Sequence, residues 1–293
     1  MRVGIVDVGS NTVRLLVASL DDGKLLPLCE EREHLLLGED VERLGRLRPA
    51  KVAEAAACTA RYAAMARRAG TGALEVLVTA PGRQSANAEE LISALRAAGD
   101  APVRVLTPEE EGELAFAGAV AAARRPPETV AVCDVGGGST EVVVGTPSGG
   151  PAWRRSFDLG CVRLTGRALP QDPPARRALR VARKEVERHL EGFAPPLPLV
   201  AYATGGTARA LRRLVGRTLG AEELDAALAI LARRPFAKVA KTFGMHPRRA
   251  ATLPAGAILL AAVQARLAVP FQVSRAGLRE GAALTLLAEA AAA

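Results

Sequence analysis

The chain has 293 residues, with 39 Lys and Arg against 31 Asp and Glu for a formal net charge of +8, and only 3% of its residues are aromatic. That length predicts two domains, each able to bury a core, while the scarcity of aromatics argues against a base-stacking platform for nucleic acid. Cys29, Cys58, Cys133 and Cys161 are far apart and form no C-x-x-C pair, which argues against zinc fingers and disulfide scaffolds and for small buried hydrophobes in a reducing compartment.

In chain order, the first element is a hairpin. Residues 3–17 read V-G-I-V-D-V-G-S-N-T-V-R-L-L-V: an apolar run ending in Asp7, a turn through Gly9, Ser10 and Asn11, then a second apolar run. Met1-Arg2 leads straight into this strand, so no secretory leader is expected. An alanine-rich helix is predicted over Pro49 to Arg68 with Gly70 as its stop, and a strand over Leu74 to Thr79. Asn87-Ala88-Glu89-Glu90 has the spacing of a capping box for a helix ending at Gly99. A strand over Val103 to Leu106 then leads to a helix from Pro108, for which Thr107 suits the N-cap and Glu110 the third position. Capping and the helix dipole account for Glu109 and Glu110, but Glu111 begins the stripe that continues through Leu114, Ala115 and Gly118. It is either a general base or a solvated first-turn carboxylate.

The Arg124-Arg125-Pro126-Pro127 stretch marks the expected seam between domains of residues 1–125 and 126–293, with the C-terminal helix free to pack back on the first. Charge changes across it: 16 basic and 18 acidic residues precede position 126, and 23 basic and 13 acidic follow. A net +10 in the second part suits a polyanion or is simply a solvated basic surface.

Beyond the seam the opening pattern returns. Residues 130–144 read V-A-V-C-D-V-G-G-G-S-T-E-V-V-V, placing Asp134 127 residues after Asp7. One glycine hairpin is ordinary; two at half-chain separation suggest a clamp for a phosphate chain, formed by Gly9, Ser10 and Asn11 in one copy and Gly136, Gly137, Gly138 and Ser139 in the other. Neither turn opens a helix, so neither is a Walker loop or a dinucleotide fingerprint. Asp7, Asp134 and Glu141 at the turn mouths suit magnesium, which takes oxygen ligands beside substrate phosphates. Further strands are predicted over Glu141 to Gly145, Trp153 to Phe157 and Leu199 to Ala203, with a basic helix near Ala175 to Leu190 and a helix-rich end from Ala208. Gly205, Gly206 and Thr207 form a third turn, opening a helix whose N-terminus could hold a phosphate. Arg83, beyond a strand end, is either a phosphate grip or a surface arginine. His34, His189 and His246 are scattered and get no catalytic role, and no long uncharged apolar run predicts a membrane span. The expected location is the cytoplasm.

These motifs in this order resemble the exopolyphosphatase and guanosine pentaphosphate phosphohydrolase (Ppx/GppA) family of the actin, sugar kinase and heat-shock chaperone superfamily. The likeness runs through the two hairpins, L-G-E-D-V-E-R-L-G-R-L at Leu37 to Leu47, T-P-E-E-E-G-E-L-A-F at Thr107 to Phe116 and D-L-G-C-V-R-L-T at Asp158 to Thr165. It continues through A-T-G-G-T at Ala203 to Thr207, L-P-A-G-A at Leu253 to Ala257 and V-S-R-A-G-L-R-E-G at Val273 to Gly281. The resemblance implies an α/β fold of two actin-like (ribonuclease H-like) domains, mixed sheets flanked by helices, with an active site in the interdomain cleft. It implies magnesium-dependent release of terminal phosphate from inorganic polyphosphate or guanosine pentaphosphate. The family's catalytic glutamate falls on Glu111, its second acidic group on Glu141, and its strand-end arginine on Arg83. The chain departs from the family at Glu113, where arginine is usual, and at Pro81-Gly82, where an alanine and an apolar residue are usual. The long helical extension of larger relatives is not expected here. A sensor that binds guanosine tetraphosphate or polyphosphate without hydrolysis, and a small-molecule kinase, are the competing readings, and a homodimer is one candidate assembly.

Overall fold

The computed structural model describes residues 1–123 and 128–292. The expected seam at Arg124 to Pro127 lies outside the described residues. Two compact units are resolved: Met1–Ala121 with the C-terminal segment from Leu278, and Ala122–Gly277.

The first unit contains β1 (Arg2–Val8), β2 (Val13–Asp21), β3 (Lys24–Glu33), α1 (Leu37–Leu44), α2 (Pro49–Arg68), β4 (Ala73–Val78), α3 (Ala80–Gln84), α4 (Ala88–Gly99), β5 (Val103–Val105) and α5 (Pro108–Ala122). Its sheet order is β3-β2-β1-β4-β5, antiparallel from β3 to β1 and parallel from β1 to β5. Strand β1 is almost continuously apolar because both its faces are covered. Val6 and Val8 join Cys58, Tyr62 and Ala66 of α2 and Leu91 and Leu95 of α4 in one core, while Val3 and Ile5 join a second core on the opposite face.

The second unit contains β6 (Val130–Val135), β7 (Thr140–Thr146), β8 (Gly150–Phe157), α6 (Cys161–Ala168), α7 (Arg176–His189), β9 (Val200–Thr204), α8 (Gly205–Val215), β10 (Thr218–Leu219), α9 (Ala221–Leu231), α10 (Phe236–Thr242), α11 (Pro247–Leu267) and β11 (Phe271–Val273). Its sheet order is β10-β11-β9-β6-β7-β8. The run β8-β7-β6-β9-β11 repeats β3-β2-β1-β4-β5 with the same strand directions, so the duplicated hairpin is the seed of a duplicated sheet. Even the irregularity recurs: the β2/β3 ladder shifts register between Val17 and Ala18, and the β7/β8 ladder between Val144 and Gly145, again 127 residues on. The last helix, α12 (Leu278–Ala292), packs on β1 and β2 of the first unit.

Three differences from the sequence reading have physical causes. Strand β3 was not expected because it is an edge strand, exposed along most of its length, with no buried face to impose alternation. Asn87 does not cap α4; its side chain instead grips Leu47 from both sides, accepting from the Leu47 N–H (2.8 Å) and donating to the Leu47 carbonyl (3.1 Å). Helix α11 is long and apolar enough to cross a membrane, with a mean hydropathy of 1.4, but 67% of that window is buried within the fold, as befits a core helix. Cys58, Cys133 and Cys161 are buried and Cys29 is half-buried, all as free thiols. Burial is the main reason that the Cys58 thiol is pushed up to about 12, so it stays protonated.

Candidate active site

In the first unit, the turn after β1 closes with Gly9 N–H donating to the Thr12 carbonyl at 3.0 Å. Ser10, Asn11 and Thr12 are buried. The residues leading into α1 lock this turn from outside: Gly38 N–H donates to the Ser10 carbonyl (2.8 Å) and Leu36 N–H to the Asn11 carbonyl (3.2 Å). A trans peptide holds its N–H opposite its C=O, so the N–H groups of Asn11 and Thr12 are turned away from α1. The Asn11 Nδ2 group is buried without a hydrogen-bond partner, while Asn11 Oδ1 lies 3.4 Å from His34 Nδ1. Such an orphaned donor is what an incoming anion satisfies.

Helix α5 starts as its sequence predicts. Glu110 N–H donates to the Thr107 hydroxyl (3.1 Å) and Thr107 N–H to the Glu110 carboxylate (2.7 Å), a reciprocal capping box. With that turn fixed, Glu111 points inward and is only 7% exposed. Arg83, on the short α3, forms an ion pair with Glu111 and also donates to the Leu106 carbonyl. The sequence offers Arg83 as either a phosphate grip or a surface arginine; in this structure its guanidinium pairs with the Glu111 carboxylate. Gly82 allows this placement, because an added Cβ there would lie 2.8 Å from Val78 Cγ1 and 3.1 Å from Val105 Cγ1.

In the second unit the turn after β6 repeats the first, with Gly136 N–H donating to the Ser139 carbonyl at 3.0 Å. Here the lock is the N-terminus of α6. Cys161 N–H donates to the Gly136 carbonyl (2.9 Å) and Val162 N–H to the Gly137 carbonyl (3.0 Å), turning the N–H groups of Gly137 and Gly138 away from α6. Asp134 and Glu141 are directly opposed residues of β6 and β7, so both carboxylates share one face of the sheet. Glu141 is 3% exposed and accepts a hydrogen bond from the Ser156 hydroxyl at 3.0 Å. The equivalent pair in the first unit is Asp7 opposite Arg14, which is balanced in charge. Among the described residues, no group of three or more His, Cys, Asp or Glu side chains gathers into a metal cluster.

The third turn joins the second. The Thr207 hydroxyl donates to the Val135 carbonyl at 2.9 Å, and the Thr204 hydroxyl is buried without a partner. Gly205 has φ +76°, and a Cβ on it would lie 2.4 Å from Asp134 Oδ1. Asp134, Glu141, Gly136 to Ser139 and Gly205 to Thr207 are therefore brought together. Gly205→Ala combines backbone strain with a collision on Asp134 and is expected to cost about 1–3 kcal/mol of stability and most of the activity. Urea unfolding with a parallel turnover measurement checks it.

A sequence model of the Ppx/GppA phosphatase family matches residues 16–290. The chain belongs to this family. Among its relatives, exopolyphosphatase 2 of Mycobacterium tuberculosis is 30% identical over 284 residues, covering 88% of each chain. Exopolyphosphatase 1 of the same organism is 30% identical over 312 residues, covering 98% of this chain and 88% of the relative. A solved structure of the Aquifex aeolicus PPX-GPPA enzyme superposes with a TM-score of 0.81 at 28% identity, covering 97% of this chain and 99% of that one. The two mixed sheets flanked by helices are the actin-like fold of these Ppx/GppA structures.

Sequence reasoning gave no role to Arg14 or to the Leu36–Gly38 lock, and none in catalysis to His34, which lies beside Asn11. Arg14 is 9% exposed, and its signal was an inward strand position held by a charge. The lock lay within a quoted family motif but has no local periodicity to give it a role.

Proposed function

We propose that this Ppx/GppA phosphatase releases terminal orthophosphate from inorganic polyphosphate or guanosine pentaphosphate by in-line attack of water. The observation that carries this reading is the convergence of two glycine turns on the opposed carboxylates of Asp134 and Glu141. Amides turned away from α1 and α6 bind phosphate oxygens, and their dipoles are fixed before substrate arrives, so little reorganisation opposes charge development at the transferring phosphoryl group. Glu111 orients the water and accepts its proton, with Arg83 holding the carboxylate in place. Attack by water on the terminal phosphorus breaks the anhydride bond, and the leaving phosphate departs with its oxygen.

The residues fit a divalent cation. Two carboxylates directly opposite one another repel unless a cation sits between them, and magnesium is commonly held by one or two carboxylates plus substrate phosphates. Magnesium bound by Asp134 and Glu141 would neutralise phosphate charge. Asp7, the third carboxylate expected at a turn mouth, lies opposite Arg14 in the first unit.

A phosphate-release assay on long polyphosphate, guanosine pentaphosphate and ATP, each with and without magnesium, tests the reading. Magnesium-dependent release from either of the first two supports it; tight binding with no release, or ADP formation that needs an acceptor, overturns it.

The polymer beyond the reacting end is assigned to α7. Arg176, Arg180 and Arg183 are exposed on that helix, spaced along one face, while Leu179, Ala182 and Val186 anchor its other side. Arg183 also lines a groove of about 710 Å³ with Lys184, Arg188 and Arg266. Neutralising Arg176, Arg180 and Arg183 together is expected to weaken long-polyphosphate binding and flatten its salt dependence, leaving guanosine pentaphosphate turnover nearly unchanged. Binding by that triple variant as tight as the parent's at low salt returns α7 to a solvated surface.

A further inference from the structure

The segment V-S-R-A-G-L-R-E-G ends at Gly281, which lies in the first turns of α12 and has no part in binding phosphate in the mechanism above. An added Cβ at Gly281 would lie 1.9 Å from the Leu114 carbonyl oxygen and 3.1 Å from the Gly118 nitrogen, both on α5. The backbones of α12 and α5 therefore meet with no side chain between them. Leu114 is three residues beyond Glu111, on the same face of α5. Gly281 thus presses on the helical stripe that carries the buried carboxylate.

The surroundings make this contact rigid on both sides. Ala282, Ala283 and Leu287 of α12 share a buried cluster with Leu106, against which Leu114 also packs. Leu106 is the residue whose carbonyl accepts from Arg83, the partner of Glu111. The start of α12 is itself pinned to β2: Arg279, 5% exposed, donates to the Leu15 carbonyl at 3.0 Å and pairs with Glu280 at 3.4 Å. With α12 fixed to the sheet and Arg83 fixed to Leu106, the depth at which α5 seats is set at Gly281.

We propose that Gly281 is a positioning residue for Glu111: its missing side chain lets α5 seat where the Glu111 carboxylate meets Arg83 and the attacking water. This rests on the reading of Glu111 as the base. A real Cβ keeps about 3 Å from a backbone oxygen, so Gly281→Ala must part α5 and α12 by about an ångström, and the pinned start of α12 directs that shift to α5. A misplacement of that size costs about 10²-fold in turnover, and the glycine turns that grip substrate keep their own residues unchanged.

The test is a double-mutant cycle on phosphate release from long polyphosphate with magnesium, using the parent, Gly281→Ala, Glu111→Gln and the double variant, with thermal midpoints taken for each. The expected result is a roughly 10²-fold lower kcat in Gly281→Ala with KM little changed, and no further loss of kcat when it is added to Glu111→Gln. A role in general stability alone would lower both backgrounds equally. Parental kcat in Gly281→Ala, or an equal further loss on top of Glu111→Gln, overturns the proposal. Parental turnover in Glu111→Gln overturns the base reading, and this inference with it. Should Gly281→Ala not fold, the same cycle with Leu287→Ala, which loosens α12 from the shared cluster without adding an atom, decides on the same criterion. Failure of both variants to fold assigns α12 a purely structural role and ends the idea.

Discussion

Glu111→Gln is expected to lower the rate of phosphate release by about 10²- to 10⁴-fold, the contribution of a positioned general base, while polyphosphate binding stays close to that of the parent. Glutamine keeps the shape of the side chain and one oxygen for Arg83, so the change removes charge and basicity with little loss of packing. The Arg83 side chain is 18% exposed and would face a neutral partner, which costs some stability because a largely buried guanidinium loses its counter-charge. Thermal midpoints separate the two effects: a fall of a few degrees with the protein still folded at assay temperature assigns the rate loss to chemistry. Glu111→Ala would confuse them by leaving Arg83 with no acceptor on that side. Parental turnover in Glu111→Gln removes Glu111 from the mechanism, and loss of polyphosphate binding in parallel with turnover would make it a substrate contact instead of a base.

The parts of this protein that were legible in its sequence are those that local chemistry determines. The hairpins were legible because β-branched runs, an aspartate and a glycine turn constrain one another within fifteen residues, and their repetition carried over to the sheet order and to the matching ladder irregularities. The α5 capping box was legible because Thr107 and Glu110 satisfy each other's backbone without help from elsewhere. Asn87 shows where that logic stops: its spacing to Glu90 is that of a cap, but the unpaired backbone of Leu47, forty residues earlier, competes for the same amide and wins. The pairing of Arg83 was hidden in a similar way, since nothing near it in sequence reveals that Glu111 will meet its guanidinium. The glycines of the other family motifs were seen without a role because their role is to be pressed upon. Gly160 seats against the Gly137 peptide, and Gly256 of α11 leaves room for the Thr207 methyl group, where a Cβ would lie 2.2 Å away. Those contacts exist only after the chain has folded, so no spacing along the sequence announces them.

Glu141→Gln is expected to change the metal-free and magnesium-bound protein in opposite directions. In the parent, Glu141 and Asp134 face each other across adjacent strands, and like charges so placed destabilise a sheet by up to about 1 kcal/mol. Their field is felt next door: burial is the main cause that holds the Cys133 thiol well above its usual value, and the charges of Asp134 and Glu141 add to it. Removing one charge relieves the repulsion, and the amide can still accept from Ser156. The metal-free variant should therefore melt at or slightly above the parent's midpoint. With magnesium the order reverses. A cation that binds the native state stabilises it in proportion to the logarithm of its concentration over Kd, about 2.7 kcal/mol at one hundred times Kd, so the parent's midpoint should climb with added magnesium. The variant, lacking one of the two anionic ligands, should climb far less and lose most of its magnesium-dependent phosphate release. Calcium offers a second reading of the same site, because it also takes carboxylate oxygens but tolerates looser geometry. Equal magnesium-induced shifts in parent and variant would place the cation elsewhere, and a lower metal-free midpoint in the variant would show that the pair is already neutralised within the fold.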